Sequence, residues 1–235
     1  MGMNGNNKGS LSTPRGALVY HILKLSGHDT DFRPTMLDAI QRIPTVSKAK
    51  ISLASGFFTQ NQSNTSSRPA FKVSDFPDGT SNRTFISAVL NSGAEVECYG
   101  AYPGSKEFKL FVDKLRAQGI TATGYYKRKF HCKLFAIEID GEPVFEIIGS
   151  SNMTKAAYAG IIGNYNPPKS SPNCECDLVL VSENGPYADF KPKAEYGRVM
   201  ALRYEPDDNN GIPLTKQMYD ILGVLDDIKA NGRRI

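Results

Sequence analysis

The chain alternates short apolar runs with longer stretches in which apolar positions recur every three or four residues. Lys50 to Phe58 (KISLASGFF) is apolar and bounded by polar residues, the pattern of a buried strand, and it runs into a Ser/Asn-rich stretch, Thr59 to Ser67, that reads as loop. Asn82 to Asn91 carries Phe85, Ile86, Val89 and Leu90 at helical spacing. Ser92-Gly93 stops that helix, and Ala94 to Tyr99 (AEVECY) predicts the next strand. The unit then repeats. Ser105 is an N-cap candidate for a helix with Phe108, Phe111, Val112 and Leu115 on one face, Gly119 closes it, and Ile120 to Tyr126 predicts another strand. Phe130 to Ile139 and Val144 to Ile148 are two further β-rich runs joined by Asp140-Gly141-Glu142-Pro143, and Asp-Gly between such runs signals a hairpin. A loop rich in Asn, Pro and Ser, Asn164 to Asn173, precedes Asp177 to Val181 (DLVLV), one more buried strand. Thr215 to Ala230 places Met218, Ile221, Leu222, Leu225 and Ile228 on one helical stripe, the pattern of core packing. Near the start, Ala17 to Leu25 is strand-like and Pro34 to Ile43 helix-like.

Strands joined by helices of this length predict an α/β fold, a mixed and largely parallel sheet flanked by helices. Residues 14–235 fit one domain, because a chain of this size can bury about 70% of its unfolded surface. Met1 to Thr13, polar and rich in Gly, Asn and Ser, is expected to be a disordered tail. No stretch approaches the ~20 apolar residues that span a bilayer, and no apolar signal core opens the chain, so a soluble, cytoplasmic protein without a membrane partner is expected. The four cysteines, Cys98, Cys132, Cys174 and Cys176, are too few for a disulfide scaffold and are expected to be thiols. Cys174 and Cys176 form a C-x-C pair with no second pair, weak grounds for zinc, and neither a metal nor a cofactor is expected.

The net charge of +4 is compatible with a polyanionic partner without requiring one. A local cluster is more pointed. Tyr125-Tyr126-Lys127-Arg128-Lys129 sets two aromatics beside three cations immediately before a histidine, which makes Lys127, Arg128 and Lys129 candidates for nucleic-acid contact. A solvated strand entrance is the plainer reading of the same run. His131 and Lys133, two apart on a predicted strand, leave the same face, so an imidazole and an ammonium can converge on one phosphate. Gly149-Ser150-Ser151-Asn152 follows the return strand, and Ser150 and Asn152 share parity. A hydroxyl and a carboxamide there can donate hydrogen bonds to phosphate oxygens. Glu175 stands just before the DLVLV strand, where a carboxylate is costly unless it has a partner. Singly, each is ordinary: a structural histidine, a turn, a helix N-cap.

Taken in order, H-C-K-L-F-A-I-E from His131 and then G-S-S-N from Gly149 resemble the signature of the phospholipase D superfamily, His-x-Lys, four residues, Asp, a short gap and Gly-Ser-x-Asn. Asn173-Cys174-Glu175 ahead of DLVLV is similar to the Asn-x-Glu that often follows it, so the resemblance covers about Lys50 to Ser182. One position departs: Glu138 stands where the family has Asp, with strand parity opposite to His131 and Lys133. The resemblance implies a phospholipase D-like fold with one motif copy per chain. It also implies a metal-independent phosphodiesterase in which His131 forms a covalent phosphohistidine. Lys133, Asn152 and Ser150 would neutralise the phosphate, and Glu175 would hold the imidazole. In the family a second motif copy supplies a second histidine. This chain has one, since His21 and His28 lack an x-Lys partner, so an obligate homodimer is expected. The expected substrate is DNA, with RNA as the variant, in a nonspecific or restriction-type endonuclease. A phospholipase or phosphatidyl transferase is the alternative. Residues 59–81 and 186–235 have no counterpart in the resemblance, and 186–235 is expected to be a C-terminal extension.

Overall fold

The computed structural model describes residues 18–24, 31–56, 58, 85–101, 105–151, 161–162, 169–170, 175–182, 185–192, 198–202 and 214–235. Its elements are β1 Leu18–Lys24, α1 Phe32–Gln41, β2 Ala49–Ser55, α2 Phe85–Ser92, β3 Glu95–Gly100, α3 Ser105–Ala117, β4 Ala122–Tyr126, β5 Leu134–Ile139 and β6 Glu142–Gly149. There follow β7 Ile161–Ile162, β8 Lys169–Ser170, β9 Glu175–Val181, β10 Arg198–Leu202, α4 Leu214–Asn231 and β11 Arg233–Arg234. A nine-stranded sheet runs in the order β10-β1-β9-β6-β5-β2-β3-β4-β11, while β7 and β8 pair separately. The predicted tail lies outside the described residues.

The expected α/β architecture, helices on a mixed sheet, is what forms, but its parallel share is smaller than expected. Among the described residues only the β2–β3 and β3–β4 pairings are parallel. These strands are joined by crossovers carrying α2 and α3, and a crossover returns the chain in the same direction. The pairings β2–β5, β5–β6, β6–β9, β1–β9, β1–β10 and β4–β11 are antiparallel. Asp140 and Gly141 close the β5–β6 hairpin with φ of 54° and 87°, the two positive values that a tight two-residue turn between twisted strands requires. The segment expected to be an extension builds into the sheet. β10 pairs with β1 at one edge, β11 pairs with β4 at the other, and α4 lies between them in sequence.

The two sheet faces differ in character. Ile51, Leu53, Val96, Cys98, Phe135, Ile137, Phe145, Ile147, Val179 and Val181 pack with residues of α1, α2 and α3 in the main core, among them Met36, Ile40, Phe85, Val89, Phe108 and Phe111. On the opposite face α4 lays Leu225 and Ile228 over Ala54, Tyr99, Leu134 and Ala136, and Met218 over Leu180. Burying each of these three helix side chains contributes about 1.5–3 kcal/mol. Glu138 is on this second face, 2.7 Å from Lys50 Nζ. Two strands carry polar groups under the helix without partners. Glu146 on β6 is fully buried, Ser52 on β2 nearly so, and neither the carboxyl oxygens nor the hydroxyl has a hydrogen-bond partner. Ala136 stands between them in the ladder.

Burial, with a smaller contribution from nearby Glu138, pushes the Glu146 carboxyl up to about 9. The folded state therefore holds a proton that the unfolded chain has already released above about pH 4.5, and stability falls as pH rises from there toward about 9. Glu146→Gln is expected to melt close to wild type at pH 5 and to be more stable by roughly 2–4 kcal/mol at pH 8. Thermal unfolding at the two pH values measures this, and a difference that stays constant with pH would show that Glu146 is not buried neutral.

Candidate functional site

Three antiparallel strands expose their ends where the parallel strands β2, β3 and β4 finish. Ala54 near the end of β2 is opposite Leu134 at the start of β5, Leu134 is opposite Ile148, and Gly149 at the end of β6 is opposite Asp177 on β9. In open α/β sheets this carboxyl-terminal margin is where ligands are taken up, because loops there are free to supply side chains.

His131 and Lys133 were expected on a strand, and they precede it. Chain pairing starts at Leu134, opposite Ala54 and one residue short of the end of β2 at Ser55. Lys133 keeps one ladder bond, its carbonyl accepting the Gly149 N–H at 3.3 Å, and Lys129 takes a φ of 65° as the chain turns in from β4. The two side chains converge all the same. Lys133 Nζ lies 3.1 Å from Nε2 and 3.3 Å from Nδ1 of His131, so the ammonium can donate to whichever ring nitrogen carries no proton. The imidazole is exposed and Lys133 half-buried.

Ser150 continues the ladder beyond β6. Its N–H donates to the Cys176 carbonyl at 3.1 Å, and its Oγ accepts the Cys176 N–H at 2.9 Å while donating to Glu175 Oε2 at 2.5 Å. Glu175 is thus the first residue of β9 rather than a residue ahead of it, half-buried, with its carboxylate engaged by the Ser150 hydroxyl. Asn152 lies outside the described residues. Adjacent strands stand about 4.8 Å apart, so the β5 approach and the start of β9, two spacings distant, lie about 10 Å from one another. That span is within reach of side chains meeting over β6.

Two neighbours escaped the sequence reading. Asp177 is 3% exposed and accepts the Ser151 N–H at 3.1 Å and the Ser151 hydroxyl at 2.6 Å, which anchors the Gly-Ser-Ser turn from below. Burial raises its carboxyl, and the two Ser151 bonds and the Ser150 amide act the other way. Its signal was present, since it shares strand parity with the core residues Val179 and Val181. The other neighbour is the C-terminal pair Arg233 and Arg234, exposed on β11 opposite Tyr126 and Tyr125. An Arg-Arg pair just past a helix was the available clue. Of the predicted cationic cluster, Lys127 is ion-paired with Asp227 on α4, while Arg128 and Lys129 are exposed at the turn.

Cys174, weighed as half of a metal site, is outside the described residues. Among the described residues no three His, Cys, Asp or Glu side chains gather where they could hold a metal ion, and no helix is long and apolar enough to cross a membrane.

No protein-family model matches the sequence. No curated protein matches it. Among solved structures, the chain is similar to phosphatidylserine synthase of Haemophilus influenzae Rd KW20, with 13% identity, a TM-score of 0.41, and coverage of 90% of this chain and 46% of that one. It is similar to a yeast tyrosyl-DNA phosphodiesterase at 9% identity and a TM-score of 0.41, covering 69% of this chain and 46% of that one. It is also similar to TrmBL2, an archaeal chromatin protein, at 11% identity and a TM-score of 0.31, covering 74% and 48%. The chain spans about half the length of each of these proteins. At such identity and superposition they fix no residue's role.

Proposed function

We propose that this chain is a metal-independent phosphodiesterase that cleaves DNA through a covalent phosphohistidine on His131. The observation that carries the reading is the convergence of His131 and Lys133, 3.1 Å apart at the margin of the sheet where Ser150 and Glu175 also meet. A phosphodiester resists attack because its anionic oxygens repel a nucleophile, so a site must neutralise them and supply a nucleophile at neutral pH. Lys133, with Ser150 and Asn152, takes the first task. Neutral His131 takes the second: a ring nitrogen bonds to phosphorus, the bond to the leaving oxygen breaks, and water later cleaves the phosphoramidate. Glu175 orients and stabilises the ring as charge develops on it.

The leaving oxygen needs a proton from a second imidazole. His21 sits on β1, three strand positions or about 14 Å of backbone spacing from β5, and its ring is turned to Cys176 Sγ. A homodimer placing two copies of His131 on one phosphate supplies the missing group. Incubation with plasmid DNA, RNA and phosphatidylcholine vesicles in excess EDTA, with analysis of fragment ends, tests the reading. DNA cleavage by a dimer supports it. Lipid turnover alone would shift it to a phospholipase or phosphatidyl transferase, and an absolute need for a divalent ion or an active monomer would overturn it.

DNA is favoured by the cationic run along the sheet margin from Lys129 and Arg128 to Arg233 and Arg234. From β5 to β11 is four strand spacings, about 19 Å, a span of several phosphates. Arg233→Ala with Arg234→Ala is expected to weaken DNA binding about tenfold near 0.1 M salt. It should also reduce the slope of log affinity against log salt by about two, since each phosphate contact contributes close to one. Cleavage at saturating DNA should stay near wild type. A salt slope unchanged in the variant would remove these arginines from the interface.

A further inference from the structure

Beside the proposed site, between β1 and the strand β9 that carries Glu175, a thiol and an imidazole meet. His21 Nε2 on β1 lies 2.7 Å from Cys176 Sγ on β9. The register explains the contact. His21 is opposite Leu178 and Leu23 opposite Cys176, so the two side chains are diagonal neighbours on one face of an antiparallel pair. Cys176 is exposed and His21 half-buried. The other described thiols are unlike it. Cys98 is fully buried and Cys132 partly so, and burial pushes both thiols up, away from the reactive thiolate.

We propose that Cys176 and His21 form a reactive thiol–imidazole pair that exchanges with low-molecular-weight disulfides, and that this exchange switches off the neighbouring phosphodiesterase site. In the exchange, His21 Nε2 takes the Sγ proton and the thiolate attacks one sulfur of the incoming disulfide. A Cys176–S–S–R bond forms as the incoming S–S bond breaks, and the departing thiolate receives the proton from the imidazolium. One disulfide is consumed and one made, so no further oxidant is needed, and added thiol reverses the step. The switch follows from what Cys176 holds. Its amide N–H donates to Ser150 Oγ, its carbonyl accepts the Ser150 N–H, and the Ser150 hydroxyl is bonded to Glu175, the residue just before it. A group added to this side chain crowds the strand that seats both of them.

The switching half rests on the functional reading above, whereas the reactive pair does not. The test uses an aromatic disulfide such as dithiobis(nitrobenzoate) at pH 7 on the full chain, with peptide mass analysis to locate each adduct. Cys176 is expected to react at least tenfold faster than Cys132. His21→Gln, checked for fold by circular dichroism, is expected to slow Cys176 at least fivefold. Labelling of Cys176 no faster than Cys132, or an unchanged rate in His21→Gln, overturns the pair. DNA cleavage should fall in step with the Cys176 adduct and return with thiol, while Cys176→Ser keeps its activity under the same treatment. Full activity at complete Cys176 modification overturns the switch. A chain inactive on every phosphodiester overturns the functional reading, and the labelling rates still decide the pair.

Discussion

Replacing His131 by alanine is expected to reduce DNA cleavage at least about a thousandfold while weakening DNA binding less than about threefold, because the lost group forms the covalent bond rather than the grip on the backbone. Lys133→Ala is expected to cost nearly as much. Its Nζ sits 3.1 Å from the ring nitrogen, so a phosphate that meets the imidazole also meets the ammonium, and neither group is useful without the other. The double replacement should therefore be only slightly worse than either single one, the non-additivity expected of parts that act as a unit. Single-turnover cleavage and fluorescence anisotropy separate the two effects. A His131→Ala protein retaining a tenth of wild-type turnover would falsify the covalent route, and strictly additive losses would separate Lys133 from the ring. Denaturing mass analysis of a rapidly quenched reaction should show a phosphoryl-linked adduct at His131 in the wild-type chain alone.

The sequence made the middle of the molecule legible and its margins much less so. The change from a 3.6-residue to a two-residue apolar rhythm located α2, β3, α3 and β4 to within a few residues, because the apolar positions that reach the main core recur with each element's own period. Asp140-Gly141 was equally readable, since few pairs tolerate two successive positive φ values. Strand direction was harder. Periodicity says nothing about which strand lies alongside which, and the antiparallel pairings of β1 with β9 and β10 join residues more than 150 positions apart. β10 and β11 were missed for another reason. Arg198–Leu202 is short and Arg233–Arg234 is a bare pair of cations, so their pairing comes from the edges of a sheet already formed and not from any pattern of their own.

At the site, spacing carried more information than secondary structure did. His131 and Lys133 converge although the strand that was to carry them begins at Leu134, because a single ladder bond from Gly149 fixes the Lys133 backbone. Glu175 was suspected from the cost of an unpaired carboxylate, and its carboxylate accepts the Ser150 hydroxyl. The same reasoning applied one turn of parity later would have found Asp177, a more deeply buried carboxylate whose partner is Ser151. The His21–Cys176 contact could not be read at all, since neither residue has a neighbour in sequence that signals the other.

Gly149→Ala is expected to be the most damaging single-atom-scale change outside the reacting groups. A Cβ built on Gly149 would stand 2.3 Å from Asp177 Oδ1, 2.4 Å from the Cys176 carbonyl oxygen and 2.7 Å from Asp177 Cα. Two of these are backbone atoms of β9, so no side-chain rotation relieves the contact, and either β6 and β9 part or the Asp177 carboxyl gives up its seat. If the strands part, the Ser150–Cys176 bonds are lost. If the carboxyl moves, a buried acid loses the Ser151 hydroxyl and amide and is left unsatisfied. Either route costs about 3 kcal/mol or more, in the range of overpacking combined with a broken buried hydrogen-bond pair. Cleavage should fall by at least about a hundredfold even at temperatures where the variant stays folded, because Ser150 and Glu175 are carried by the strands that separate. Asp177→Asn alone should be milder, keeping space and one acceptor for Ser151. Urea unfolding and cleavage at a temperature well below the melting transition check both halves. A Gly149→Ala chain with wild-type stability would mean that β6 and β9 do not approach as closely as this geometry requires.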